Sequence, residues 1–146
     1  MKKIIISACL VGEICRYDGK SKPMDSDILE NLKEKFELIP VCPEVAGGLE
    51  TPRKPCEICG ERVMTADGED FTDEYTKGAV YALESAKKNG VEICILKSKS
   101  PSCGINGVYD GSFTRTLTKG MGITAKLLSD NGITVYDETD IFKLIN

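Results

Sequence analysis

Seven cysteines and no histidine define the chemistry open to this 146-residue chain. Without imidazole there is no Ser-His-Asp or Cys-His couple, no histidine-containing zinc site and no imidazole base. Proton transfer must then use a carboxylate, lysine, tyrosine or thiol, and a metal centre must be held largely through sulfur. An odd number of thiols argues against a disulfide framework and for metal, cluster or thiol chemistry.

The stretch Leu38 to Leu49 carries the densest signal. It starts as a short apolar strand, is bracketed by Pro40 and Pro43, and delivers Cys42 and Glu44 into a glycine-containing loop. A loop presents such groups to ligand or solvent, whereas a core would exclude an unpaired carboxylate. Cys9 follows the apolar run Ile4 to Ala8, and Cys103 lies in the polar loop Lys97 to Gly104 after the run Val91 to Lys97. Cys15 shares the Gly- and charge-rich loop Cys9 to Lys20. Cys56 and Cys59 have the spacing of a redox couple or half a zinc site, but no second C-x-x-C completes four thiolates. Cys94, between two isoleucines inside a strand, reads as core packing.

The elements that must position these groups alternate. Ile4 to Ala8, Glu37 to Val41, Val91 to Lys97 and Ile133 to Tyr136 read as strands. Asp25 is placed to cap a helix over Ser26 to Phe36, and Thr72 to cap one running to Asn89, with Tyr75, Ala79, Ala82, Leu83 and Ala86 on one face. Gly120 to Asp130 reads as a further helix and Thr139 to Ile145 as a terminal helical turn. Pro43 to Gly60 reads as irregular, Glu61 to Met64 as an edge strand, and Gly107 to Thr116 as containing a short hairpin. The alternation predicts an α/β fold, a single domain over residues 1–146 with a mostly parallel sheet and helices on both faces. In such sheets ligands bind outside the carboxyl ends of the strands, so Cys9, Cys42 and Cys103 should meet at one crevice. Thiolates there suit zinc or an iron-sulfur cluster, with Cys15 available as a fourth ligand.

Charge and hydropathy narrow the partners. A net charge of -4 without a basic stripe disfavours a nucleic acid polymer, and no apolar run reaches the roughly 20 residues of a membrane span. Met1-Lys2-Lys3 before Ile4-Ile5-Ile6 is too short and too quickly polar for a signal peptide, which points to the cytoplasm. A small-molecule ligand is the expected partner. Arg16, Arg53 and Lys97 are candidate donors to it, although ion pairs are the ordinary fate of such side chains.

Several separated motifs occur in order: Ser7-Ala8-Cys9-Leu10-Val11-Gly12, Cys15-Arg16-Tyr17-Asp18-Gly19, Pro40-Val41-Cys42-Pro43-Glu44, Gly47-Gly48-Leu49, Thr51-Pro52-Arg53 and Ser100-Pro101-Ser102-Cys103-Gly104. With these the chain resembles, over nearly its whole length, the small TudS-like thiouracil desulfidases, once classed only as a domain of unknown function. The resemblance implies a Rossmann-like domain, a 4Fe-4S cluster held by Cys9, Cys42 and Cys103, and non-redox conversion of a thiolated nucleobase such as 2-thiouracil to uracil and sulfide. It further implies Glu44 and Ser100 as catalytic polar groups, with Cys15 a reserve ligand. The rival readings are a non-catalytic zinc or iron-sulfur sensor and a thiol-dependent transferase or reductase using Cys56 and Cys59.

Overall fold

The structure is a computed structural model and describes residues 1–145. Strand β1 (Lys2–Ser7) is followed by helix α1 (Ser26–Lys35), strand β2 (Phe36–Val41) and the one-turn helix α2 (Pro43–Ala46). Strands β3 (Cys56–Cys59) and β4 (Arg62–Thr65) form a hairpin, and the long helix α3 (Thr72–Asn89) leads to strand β5 (Ile93–Leu96). A two-residue ladder of β6 (Val108–Tyr109) with β7 (Leu117–Thr118) precedes α4 (Ile123–Asp130), β8 (Thr134–Asp137) and α5 (Phe142–Ile145).

The central sheet has the order β2-β1-β5-β8, with every pair parallel. From β1 the chain crosses through α1 to β2 on one side, then returns past β1 through α3 to β5 on the other. The order therefore reverses at β1, and a crevice opens beyond the carboxyl ends of β1 and its neighbours. Register brings those ends level, because Ser7 pairs with Val41 and Ile6 with Ile95. The α/β fold expected from the sequence is the one observed.

Alternation along the strands supplies both layers of core. Ile4, Ile6 and Ile95 face Leu32 of α1 and Ile141, while Ile5, Cys94 and Leu96 face Ala82 and Ala86 of α3 and Ala125 and Leu128 of α4. Each fully buried isoleucine or leucine contributes roughly 2 kcal/mol by removing its surface from water. Cys94 is fully buried in this layer, and burial pushes its thiol up to about 12. It packs the core, as its isoleucine neighbours suggest. Among the described residues no helix is long and apolar enough to cross a membrane.

Two local expectations are corrected, and a third, the edge strand, gains a partner. Residues 43 to 60 are not uniformly irregular, since they hold α2 and β3. The edge strand expected at Glu61 to Met64 is β4, and its partner is the C-x-x-C segment itself. Thr72 is the first helical residue of α3 and does not cap it; the Asp70 carboxylate accepts from the Thr72 N–H at 2.9 Å instead.

Candidate active site at the carboxyl end of the sheet

Beyond Ser7 the backbone tightens into a 3-10 turn, Ala8–Val11, that carries Cys9. Gly12 closes the turn at φ 99°, a left-handed conformation that favours glycine. The loop then folds back, with Lys22 N–H donating to the Cys9 carbonyl at 3.0 Å, and this buries Cys15 as well as Cys9. Cys42 stands at the N-cap of α2, one residue past β2. Its Sγ lies 3.8 Å from the Cys15 carbonyl oxygen, and the Cys15 thiol is in hydrogen-bond contact with those of Cys42 and Cys9.

Cys103 arrives from the opposite side of the switch point. Ser100 Oγ accepts from the N–H groups of Ser102 and Cys103, at 3.0 and 3.1 Å, and so shapes the turn that presents the thiol. Ser102 is fully buried and its hydroxyl pairs with that of Thr124 at 2.7 Å, locking the loop onto the start of α4. This approach needs a glycine: a Cβ on Gly122 would meet the Ser102 carbonyl oxygen at 2.4 Å. The Cys103 thiol contacts the Ser7 hydroxyl and lies near Glu44 and Cys42.

Crowding and burial favour the protonated thiols of Cys15, Cys42 and Cys103. Contact with Cys15, followed by burial, pushes Cys42 far above the ordinary thiol range. Burial raises Cys103 to about 12. For Cys15 the Cys42 contact works downward, but the Cys9 contact and burial outweigh it and raise the thiol to about 11. A cationic centre would relieve that cost by displacing the protons, as metal binding to cysteine does. Among the described residues, no three Cys, Asp or Glu side chains converge to hold one ion. Cys9, Cys42 and Cys103, all-sulfur donors from three separate loops, have the chemistry by which iron-sulfur clusters are held.

Glu44 sits in the first turn of α2. The helix is pressed against α3 so closely that a Cβ on Gly78 would lie 1.9 Å from the Pro43 carbonyl oxygen, and one on Gly47 would lie 2.0 Å from that of Glu74. That contact brings Glu44 Oε1 within 2.5 Å of the Tyr75 hydroxyl, which donates to it. An Arg53 Nη also lies 3.4 Å from Oε1. The same guanidinium donates to the carbonyls of Cys15 at 2.9 Å and Glu50 at 2.8 Å, tying the Cys15 loop to the carboxylate. Its Nε is the one buried side-chain polar atom without a partner among the described residues.

The remaining candidates divide. Lys97 pairs with Glu138 at 3.0 Å and Arg16 with Asp18 at 3.4 Å, so neither is a free donor. Cys56 and Cys59 lie on β3 three residues apart, and alternation sends them to opposite faces. Cys56 packs with Tyr75 and Val63, its thiol within hydrogen-bond reach of the Tyr75 hydroxyl, whereas Cys59 faces the Gly111 carbonyl oxygen at 3.7 Å. They form neither a chelate nor a couple in this conformation. Two further participants carry no signal of their role in the sequence. Ser7 joins Cys103 to the Lys97 N–H, to which it is an acceptor at 2.8 Å, and Tyr75, which donates to Glu44, reads in the sequence only as part of an apolar helix face.

Comparison with known proteins places the chain in a family and matches its fold. The chain matches the model of a family described as 2-thiouracil desulfurase over residues 4–140. It is 37% identical over 148 residues to a Bacillus subtilis (strain 168) protein named uncharacterized protein YbbK, covering 94% of this chain and 97% of the relative. A solved structure of a 4Fe-4S-dependent thiouracil desulfidase, TudS, superposes with a TM-score of 0.95 at 44% identity, covering 99% of this chain and 95% of that one.

Proposed function

The chain belongs to the 2-thiouracil desulfurase family, and on that premise we propose that it removes sulfur from a thiolated pyrimidine such as 2-thiouracil, giving uracil and sulfide. The observation that carries this reading is the placement of Cys9, Cys42 and Cys103 past the ends of β1, β2 and β5, where Cys15 touches both Cys9 and Cys42 and Cys103 lies near Glu44, in a chain that has no histidine to offer. These three cysteines would hold a 4Fe-4S cluster, with Cys15 packed between two of them as the reserve ligand. When bound through three thiolates, such a cluster supplies an iron free of protein ligand, a Lewis acid suited to soft sulfur.

The residues of the chain supply the rest. Replacing a thiocarbonyl sulfur by oxygen consumes one water and releases hydrogen sulfide, so no electron enters or leaves. Glu44, with its side chain 16% exposed, takes the proton from the attacking water and returns it to the departing sulfur. The Ser100 oxygen already accepts two backbone N–H groups, which leaves its own O–H proton to orient substrate or water. Seven free thiols suit a reducing compartment, the cytoplasm.

The test is anaerobic incubation of the iron-loaded protein with 2-thiouracil and no reductant. Equimolar uracil and sulfide are expected, with turnover falling by about 10²- to 10⁴-fold in Glu44→Gln. Iron-loaded protein that leaves 2-thiouracil intact would refute the substrate.

A further inference from the structure

We propose that Tyr75 is a positioning residue of this reaction, holding Glu44 by one carboxylate oxygen so that the other faces the crevice; the inference rests on Glu44 being the group that carries protons. Both donors that reach the carboxylate, the Tyr75 hydroxyl at 2.5 Å and the Arg53 guanidinium at 3.4 Å, engage Oε1. Oε2 has no partner among the described residues. Nor is it among the buried orphans, where Arg53 Nε stands alone, so solvent or substrate reaches it. An oxygen that must accept a proton works best with no donor already on it, and this asymmetry reserves Oε2 for that task.

Tyr75 is suited to the role by its mounting. It projects from the first turns of an 18-residue helix, is 2% exposed, and packs against Cys56 and Val63. The Gly78 contact with Pro43 fixes the distance between that helix and the turn bearing Glu44. The hydroxyl therefore has a rigid origin, and Glu44 takes its orientation from α3 rather than from its own short helix. Misplacing a reacting group by about 1 Å can cost roughly 100-fold in rate, which is the effect at stake.

Tyr75→Phe removes one oxygen and keeps the ring. With iron content unchanged, its kcat should fall by about 10- to 100-fold while KM for 2-thiouracil stays within about twofold. Because Tyr75 acts through Glu44, adding Tyr75→Phe to Glu44→Gln should change the residual kcat by less than about twofold. Wild-type kcat in Tyr75→Phe, or the same loss in both backgrounds, would overturn the proposal while leaving Glu44 in place. A variant that no longer folds would assign Tyr75 to structure and overturn it too. Full turnover in Glu44→Gln alone would instead remove the reading on which the proposal rests.

Discussion

Two groups of cysteines in this molecule teach opposite lessons. Cys56 and Cys59 have the familiar chelating spacing, yet they occupy one strand of a hairpin and point to opposite faces. Cys9, Cys42 and Cys103 share no spacing, yet each follows a strand of one parallel sheet, so the topology delivers their loops to its carboxyl end. The C-x-x-C spacing brings sulfurs together on a turn or at a helix start, where successive residues curl around a point. On an extended strand it separates them. Placement within the topology outranks local spacing, because a parallel sheet delivers its loops to a common edge whatever their sequence.

That contrast can be broken from its scaffold outward. The largest effect should come from Gly78→Ala, far from any thiol in sequence. The added methyl collides with the Pro43 carbonyl oxygen, and α2, with Cys42 at its N-cap and Glu44 in its first turn, must move away from α3. We expect a loss of about 3 kcal/mol or more in denaturant unfolding of the cluster-free chain, together with loss of activity. Unchanged stability would mean that α2 is not clamped as described.

Ser100→Ala should act more gently. It strips the acceptor from two N–H groups in the turn that presents Cys103, at a cost of about 1–2 kcal/mol. If Ser100 also orients substrate, kcat measured on iron-loaded variant at saturating substrate should fall as well. A stability loss with wild-type kcat would confine Ser100 to shaping the loop. Cys59→Ser sharpens the comparison from the other side, since it replaces a thiol that only touches backbone carbonyls. A stability change within about 0.5 kcal/mol and unaltered turnover are expected.

Much of this arrangement is legible in the amino-acid sequence. The apolar runs of β1 and β5, the Asp25 cap of α1 and the small-residue face of α3 all express strong local rules, and their order implies a parallel sheet with thiols at its edge. The features that are not legible depend on contacts between distant residues. Helix α2 is four residues long, too short for periodicity to show, and the packing of Gly47 and Gly78 across α2 and α3 holds it in place. Strand β3 reads Cys-Glu-Ile-Cys, with a buried Glu57 whose carboxylate is satisfied by the N–H groups of Gly111 and Phe113, and no alternation of polarity marks it. The bond from Tyr75 to Glu44 spans 31 residues, and nothing in either local sequence announces it.

The central claim is that placement at strand ends, rather than C-x-x-C spacing, selects the cluster ligands. Its most direct test is iron and acid-labile sulfide per chain in anaerobically purified single Cys→Ser variants. Cys9→Ser, Cys42→Ser and Cys103→Ser should each lose the cluster, whereas Cys56→Ser and Cys59→Ser should retain about four irons. Full iron in any of the first three, or its loss from either of the last two, would contradict the account.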